Sequence, residues 1–369
     1  MKTLAITAAA VLGLLVLSIG WMAIGGDPLG GQPYVVVELN PVERPSTSPD
    51  SATSRDGQEA GSDRIAPAPP DGGGAPASGS DALDMPAQSA GSPQAGAEPA
   101  AQFADLLEAS RYGPLPKIAE DGRRPSQIYA RPSPHSAARQ TGEPARIAIL
   151  VNGLGLSEIA TDQAINMLPG SVTLAYSPYG RNLQGWVRLS RAAGHEVMLQ
   201  IPLEPENYPD NDPGPHTLLS NLPREENLKR LQWLLSRFTG YTGVTNLMGA
   251  KFGAEREAVV PVLQEMKARG LIFLDDGTAA NSGTGDVARE LELDFSVAQV
   301  VIDPTRTPDT VDEALAKLEA LALENGLAIG VANSLPVTIR RISEWSRSLS
   351  NKGLVLVPVS AAVGANKPS

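Results

Sequence analysis

The chain has 369 residues, with 41 acidic against 30 basic side chains, and its net charge of −11 argues against a nucleic-acid partner. Cysteine is absent and only His135, His195 and His216 supply imidazoles, which excludes disulfide frameworks, thiolate metal sites and any multi-histidine cluster. The 32 prolines and 36 glycines, beside 4% aromatics, mean that part of the chain lacks the composition to build a core.

Residues 4–24 are apolar, broken only by Thr7, Ser18 and small residues. That is about the length a helix needs to cross a hydrocarbon core of roughly 30 Å. Lys2 precedes the run and the first acid after it is Asp27, so a single-pass anchor in the inner (cytoplasmic) membrane is expected, with the remainder exported. A cleaved signal peptide is the competing reading, against which the run is long. The expected organisation is an anchor over 1–26, a tether over 27–100, an arm over 101–144, a folded domain over 145–362 and a tail over 363–369. Within residues 41–100, 39 of 60 are Pro, Gly, Ser or Ala and none is aromatic. Such a segment buries too little surface to offset its backbone entropy, so a disordered linker is expected. Before it, Tyr34-Val35-Val36-Val37-Glu38-Leu39 is a strand-like run without an assigned role. After it, residues 103–107 read as the start of a short helix. His135, among Pro132, Ser133 and Pro134, reads as solvated and inert.

From Arg146 the texture changes. Strand-like runs over 146–151, 171–176, 196–201, 241–246, 271–275, 297–302, 327–332 and 354–359 alternate with amphipathic stretches. Leu228, Leu231, Leu235 and Phe238 fall on one helical face, and glycines such as Gly240, Gly270 and Gly326 stand just ahead of strands. This predicts an α/β fold, a distorted (β/α) barrel of seven to eight parallel strands, with a doubly wound open sheet as the runner-up. Chemistry in a barrel belongs at the C-terminal strand ends. Those ends carry Asn152, Tyr176, Glu204, Asn246, Asp275-Asp276, Asp303, Asn333 and Ser360. A long loop over 202–223 adds Tyr208 and His216 as candidates to stack on sugar rings. Strand-end acids also commonly cap helices or bind loop amides, the bland reading for Asp275 and Asp303. His195 precedes the third strand and is expected at the barrel bottom in a stability role. Gly153-Leu154-Gly155 lacks the third glycine of a dinucleotide loop, since Glu158 stands there.

The ordered segments Ala148-Ile149-Leu150-Val151-Asn152-Gly153-Leu154-Gly155, Ser177-Pro178-Tyr179, Ala193-Gly194-His195-Glu196 and Ile201-Pro202-Leu203-Glu204-Pro205 resemble those of the divergent polysaccharide deacetylase family. Asp212-Pro213-Gly214-Pro215, Asn246-Leu247-Met248-Gly249 and Gly270-Leu271-Ile272-Phe273-Leu274-Asp275 extend the resemblance. It implies a distorted βα barrel in which Asp- and His-bound metal activates water. The metal-ligand positions it implies are substituted: of two strand-end aspartates, the second of which resembles a metal ligand, the counterparts are Asn152 and Gly153, and three histidines correspond to Gln200, Leu247 and Asn333.

The expected function is therefore that of a membrane-anchored envelope protein whose domain has lost its divalent-metal cofactor and binds a cell-envelope glycan or an envelope protein. No metal ligands are assigned. The candidate ligand-binding residues are Asn152, Tyr176, Tyr208, His216, Asn246, Asp303 and Asn333. The alternative is an active carbohydrate hydrolase using Glu204, Asp275 and Asp276, and a third reading is a structural spacer. Glu204, Asp275, Asp276 and Asp303 together would also suit an oxygen-ligand site for calcium or magnesium.

Overall fold

The computed structural model describes residues 103–133, 143–279 and 282–363. The expected anchor, the tether and His135 lie outside the described residues, as does the tail beyond Val363. Among the described residues no helix is long and apolar enough to cross a membrane.

A 3-10 turn (Ala104–Leu106), where the sequence pattern places the start of a short helix, leads into an antiparallel hairpin of β1 (Leu107–Ser110) and β2 (Gly113–Pro116); a one-turn α1 (Pro125–Ile128) follows. Arg269 clamps this arm onto the domain, its Nη1 donating to Glu108 Oε1 and to the Pro116 carbonyl, both at 2.8 Å. The arm lies so close that a Cβ at Gly270 would meet Ile118 at 2.9 Å, and φ there is +67°. Only glycine suits both demands.

The domain then alternates strand and helix. It runs through β3 (Ala145–Leu154), α2 (Glu158–Met167), β4 (Thr173–Tyr176), α3 (Leu183–Ala192), β5 (Val197–Leu203) and α4 (Arg224–Leu235). Next come β6 (Gly243–Met248), α5 (Ala250–Ala254), α6 (Arg256–Ala268), β7 (Ile272–Asp275), α7 (Thr284–Glu290), β8 (Phe295–Val297) and β9 (Val300–Val301). It ends with α8 (Pro308–Asn325), β10 (Leu327–Asn333), α9 (Pro336–Ser346), β11 (Leu354–Val357) and α10 (Val359–Ala362). All the strand pairs from β3 onward are parallel, in the order β8-β7-β6-β5-β4-β3-β10-β9.

The single strand expected over 297–302 is divided between the two ends of this path. Its first half pairs with β7 and its second with β10, so one segment closes the ring. At the division Ala298 N donates to the Asp275 carbonyl and Gln299 N to that of Ile329, both at 2.9 Å. The Gln299 carboxamide spans the gap, accepting from Ile329 N at 2.6 Å and donating to the Val297 carbonyl at 2.7 Å. A side chain thus supplies the rung that two diverging strands cannot make. The ring is the distorted (β/α) barrel, with seven strand positions. The eighth predicted strand, β11, stays outside it, pairing with the lower half of β3 at Ala145 to Ala148. β4 is short and reaches only the upper half, from Leu150 onward, which leaves that lower edge free.

Side chains alternate across the ring as the pleat requires. Ile147, Ile149 and Val151 pack outward with helix residues such as Leu231, Leu315 and Ile339. Ala148, Leu150, Ala175, Met198, Leu274, Ile329 and Val331 fill the lumen. The lumen's lower end is stoppered by Val357, Val359 and Ala362. Ser360, expected at the strand-end rim, is therefore at the opposite end of the barrel. Its N–H donates to Glu196 Oε1 at 3.0 Å and its hydroxyl to Glu196 Oε2. Thr173 Oγ1 also donates to Glu196, at 3.3 Å. His195 is buried here too, with Nδ1 2.8 Å from the Val172 carbonyl and Nε2 3.2 Å from that of Ile165, so its place is structural.

Replacing Gln299 by Leu leaves Ile329 N–H and the Val297 carbonyl without their rung and should cost about 2 kcal/mol by chemical denaturation; an unchanged midpoint and slope would refute the closing role. Burial pushes the Glu196 carboxyl above its ordinary value of 4.5, against its hydrogen bonds. A group whose pKa is raised on folding gives stability that is complete below the unfolded value and lost as pH rises through the folded one. Stability measured from pH 4.5 upward should accordingly fall less steeply in Glu196→Gln than in the parent, and parallel profiles would contradict this.

Candidate functional site

The pleat determines which strand-end residues reach the mouth of the barrel. Asn152 continues the inward series Ala148, Leu150; Gln200 follows Met198; Asn333 follows Ile329 and Val331. On β6, Val244 faces the helices, so Thr245 and Leu247 face the lumen. Strand register joins these positions: Asn152 pairs with Asn333, Gln200 with Thr245, and Pro202 with Leu247. Gln200, Leu247 and Asn333 are three of the positions at which the resemblance implies metal ligands, and they share one mouth with Asn152, which stands for the first of its two strand-end aspartates.

The mouth is neutral. Gln200 Oε1 accepts from Gly153 N at 2.8 Å, and Ser334 N donates to the Asn152 carbonyl at 2.9 Å. Asn152 Oδ1 and Thr245 Oγ1 are buried with no hydrogen-bond partner. Leu247 is half-buried and brings only carbon. At Gly153, φ is +79°, and a Cβ would lie 3.4 Å from Ser334 Oγ. A carboxylate-bearing residue would have room there but would hold a strained backbone.

The carboxylates are all committed to their own surroundings. Glu204 Oε2 accepts from Ser220 N and Oγ, both at 2.6 Å, and Oε1 accepts from Lys251 Nζ at 2.7 Å. Burial would raise its carboxyl, but the Lys251 and Ser220 hydrogen bonds outweigh that and hold it below the ordinary value. This carboxylate staples the long loop after β5 to α5. Asp275 accepts from Gly277 N at 2.9 Å and from Ser282 Oγ at 3.3 Å. Asp276 accepts from Thr278 N at 2.9 Å and Thr278 Oγ1 at 2.6 Å. Burial raises both carboxyls, and the charge of Asp276 adds to the effect at Asp275. Asp303, also raised by burial, accepts from Asn333 N at 2.9 Å and from Thr338 Oγ1 at 3.0 Å, tying the end of β10 to the first turn of α9. Asn246 uses both ends of its amide, accepting from Asp276 N at 2.8 Å and donating to the Met248 carbonyl at 2.8 Å. It is a loop clamp rather than a ligand contact.

Among the described residues no three His, Asp or Glu side chains come together to hold a metal ion. The oxygen-ligand site conceived from Glu204, Asp275, Asp276 and Asp303 is therefore not assembled. The divalent metal that the resemblance implies does not fit the amides, hydroxyl and leucine at the mouth, since hard and borderline cations need carboxylate or imidazole donors.

Three aromatic expectations are redirected. Tyr176 is fully buried on the helix-facing side, its hydroxyl 2.7 Å from Ser190 Oγ and its ring edge-on to Phe238. That burial raises its pKa to about 12 and removes it from any ligand. His216 stacks flat on Trp233 at 3.5 Å between centroids, with Tyr179 beside both. Burial and then the charges of Arg230 and Arg237 lower its pKa. Its ring face is spent on Trp233, which no sequence spacing connected with it. Tyr208 is half-buried in the loop, where its N–H donates to the Pro205 carbonyl at 3.3 Å, apart from that stack. Lys251 and Thr245 carry no signal in the sequence: nothing about a lone lysine or a strand threonine marks them.

If Asp303 works as a tie between β10 and α9, Asp303→Ala should lose about 2–3 kcal/mol of stability in urea titrations, because Asn333 N–H and Thr338 Oγ1 lose their acceptor. Full stability in that variant would instead free the carboxylate for a ligand role.

The family description "divergent polysaccharide deacetylase" matches residues 149–363. The crystal structure of the uncharacterized protein ATU2773 from Agrobacterium tumefaciens C58 is similar at a TM-score of 0.64 and 42% identity, covering 68% of this chain and 99% of that one. The uncharacterized protein YibQ of Escherichia coli K12 is 21% identical over 204 residues, which span 55% of this chain and 63% of YibQ. An uncharacterized Haemophilus influenzae protein is 20% identical over 205 residues, 55% of this chain and 72% of that protein. With a family match across more than half its length, the chain belongs to the divergent polysaccharide deacetylase family.

Proposed function

We propose that the domain is a carbohydrate-binding, non-hydrolytic member of its family, held at the outer face of the inner membrane by residues 4–24. The observation that carries this reading is the neutral mouth: three carboxamides, a hydroxyl and Leu247 occupy it, while the neighbouring carboxylates are hydrogen-bonded within the loops, strand end and helices around it, Asp303 to Asn333 of the mouth itself. Carboxamides are paired donors and acceptors, suited to the hydroxyl and amide groups of a neutral glycan. Asn152 Oδ1 offers a desolvated acceptor without an internal partner, which a sugar hydroxyl would satisfy. The alternative occupant, an envelope protein, draws support from Leu156 and Ile159, which are 64% and 72% exposed just beyond β3. Catalysis by Glu204, Asp275 and Asp276 is disfavoured because their oxygens hold the loops that frame the mouth.

The test pairs binding with stability. Chitotetraose titrated calorimetrically into the full chain should bind without releasing acetate, whether or not divalent metal is added. Asn152→Leu should weaken that binding at least about tenfold while raising stability by about 1 kcal/mol, since it removes a buried acceptor that lacks a partner. Metal-dependent acetate release, or undiminished binding by Asn152→Leu, would overturn the reading. Protease protection of intact cells against opened ones would test the exported orientation.

A further inference from the structure

At the end of the barrel away from the mouth, a cavity of about 370 Å³ lies where the arm meets α3, lined by Tyr129, Arg131, Arg191, Gly194 and His195. Two guanidiniums reach it from separate elements, Arg131 from the arm and Arg191 from the last turn of α3. Each is held in place by its surroundings. Arg131 Nη1 donates to the Gly194 carbonyl, and its backbone N–H donates to Glu196 Oε2 at 3.3 Å. A Cβ at Gly170 would stand 2.6 Å from Arg131 Nη1, and one at Gly194 2.7 Å from it, so bare backbone is what admits this guanidinium. Arg191 lies over the Tyr129 ring, 5.2 Å from its centroid. Its Nη1 donates to the Tyr129 carbonyl at 2.9 Å and to that of Gly240 at 3.2 Å.

These contacts orient the two groups without neutralising them, because carbonyls and an aromatic ring carry no net charge. Among the described residues neither arginine forms an ion pair, and no acid lines the cavity. The neighbouring acid, Glu196, is buried in the floor of the barrel, its oxygens taken by Ser360, Thr173 and the Arg131 N–H. Arg269 shows the contrast: also set under the arm, it has the carboxylates of Glu108 and Glu265. Burial, the largest influence on the Arg191 guanidinium, lowers its pKa against the charge of Glu196. A half-buried cation without a counter-ion is costly, and an anion entering the cavity would remove that cost. His195 has both ring nitrogens on carbonyl oxygens and offers the cavity no hydrogen bond.

We infer that this cavity is a binding site for a phosphate group, taken either as inorganic phosphate or as the monoester of a small polar molecule. Two guanidiniums match the double charge of a phosphate better than the single charge of a carboxylate. The carbonyls engage only Nη1 of each arginine, which leaves Nε and Nη2 of both as donors. The volume admits a phosphate with a small substituent. The site is separate from the mouth and does not depend on glycan binding there.

The experiment is isothermal titration calorimetry of the full chain in low salt, with inorganic phosphate, glycerol 3-phosphate and acetate as separate titrants. Saturable binding of phosphate is expected, tighter than that of acetate. Tighter binding of glycerol 3-phosphate than of phosphate would identify an ester as the ligand, and the reverse order would identify the free ion. R131M should weaken phosphate binding about tenfold or more. R191M should weaken it at least as far, but it also removes the ties to Tyr129 and Gly240, so R131M decides. R188M takes an exposed charge from the same helix outside the cavity and should bind as the parent does. Absence of saturable binding by the parent chain, acetate binding equal to that of phosphate, parent-like affinity in R131M, or an equal loss in R188M would overturn the inference.

Discussion

In a ring of parallel strands every second side chain enters the lumen, and the last inward residue of each strand stands at the mouth. That alternation is the constraint on which the chemistry of this domain rests. It is enforced from both sides, because the outward series Ile147, Ile149, Val151 is sealed under helices and the inward series Ala148, Leu150 is packed in the lumen. A slip of one residue would exchange the two sets, so the packing of the core fixes the mouth as Asn152, Gln200, Leu247 and Asn333. The closure of the ring depends on one further device, the Gln299 carboxamide, which bridges the point where the sixth strand divides.

The same constraint explains why a rim rich in acids does not make an acidic mouth. Asp275 lies on the side of β7 opposite Leu274, and it turns to its own loop, as Asp276 does to Thr278. A buried carboxylate is costly unless backbone or hydroxyl donors satisfy it, and here those donors come from the connections that follow the strands. Glu204 has in addition the ammonium of Lys251. These acids hold the loops in place around a mouth that is itself made of amides, a hydroxyl and a leucine. A metal-centred reaction asks for the reverse distribution.

Much of the fold could be read from the amino-acid pattern, because apolar runs of strand length separated by amphipathic stretches have few other meanings. The run over 146–151 lies within β3, and that over 327–332 within β10. The division of the run over 297–302 could not be read, since both halves are apolar and only the geometry of closure separates them. Nor could the exclusion of β11, which follows from the shortness of β4 rather than from any feature of residues 354–359. Tyr176 was readable in principle: it stands two residues after Leu174, on the helix-facing side, and alternation alone removes it from the lumen. His216 was not, because its partner Trp233 comes from α4 and stacks on it only through the path of the long loop. The identities at the mouth were visible from the sequence, but their convergence needed the register of β3 with β10 and of β5 with β6.

The neutral mouth is proposed as a binding surface in its own right. Its most direct test is the metal content of the protein, since a metal-centred site and an amide-lined one differ first in what they retain. Native mass spectrometry of the full chain, equilibrated with zinc and then exchanged into volatile buffer, would read this without assuming any substrate. The account predicts the mass of the metal-free chain at every zinc concentration short of nonspecific adducts. One tightly held zinc per chain, lost on substitution of Asn152 or Asn333, would contradict it.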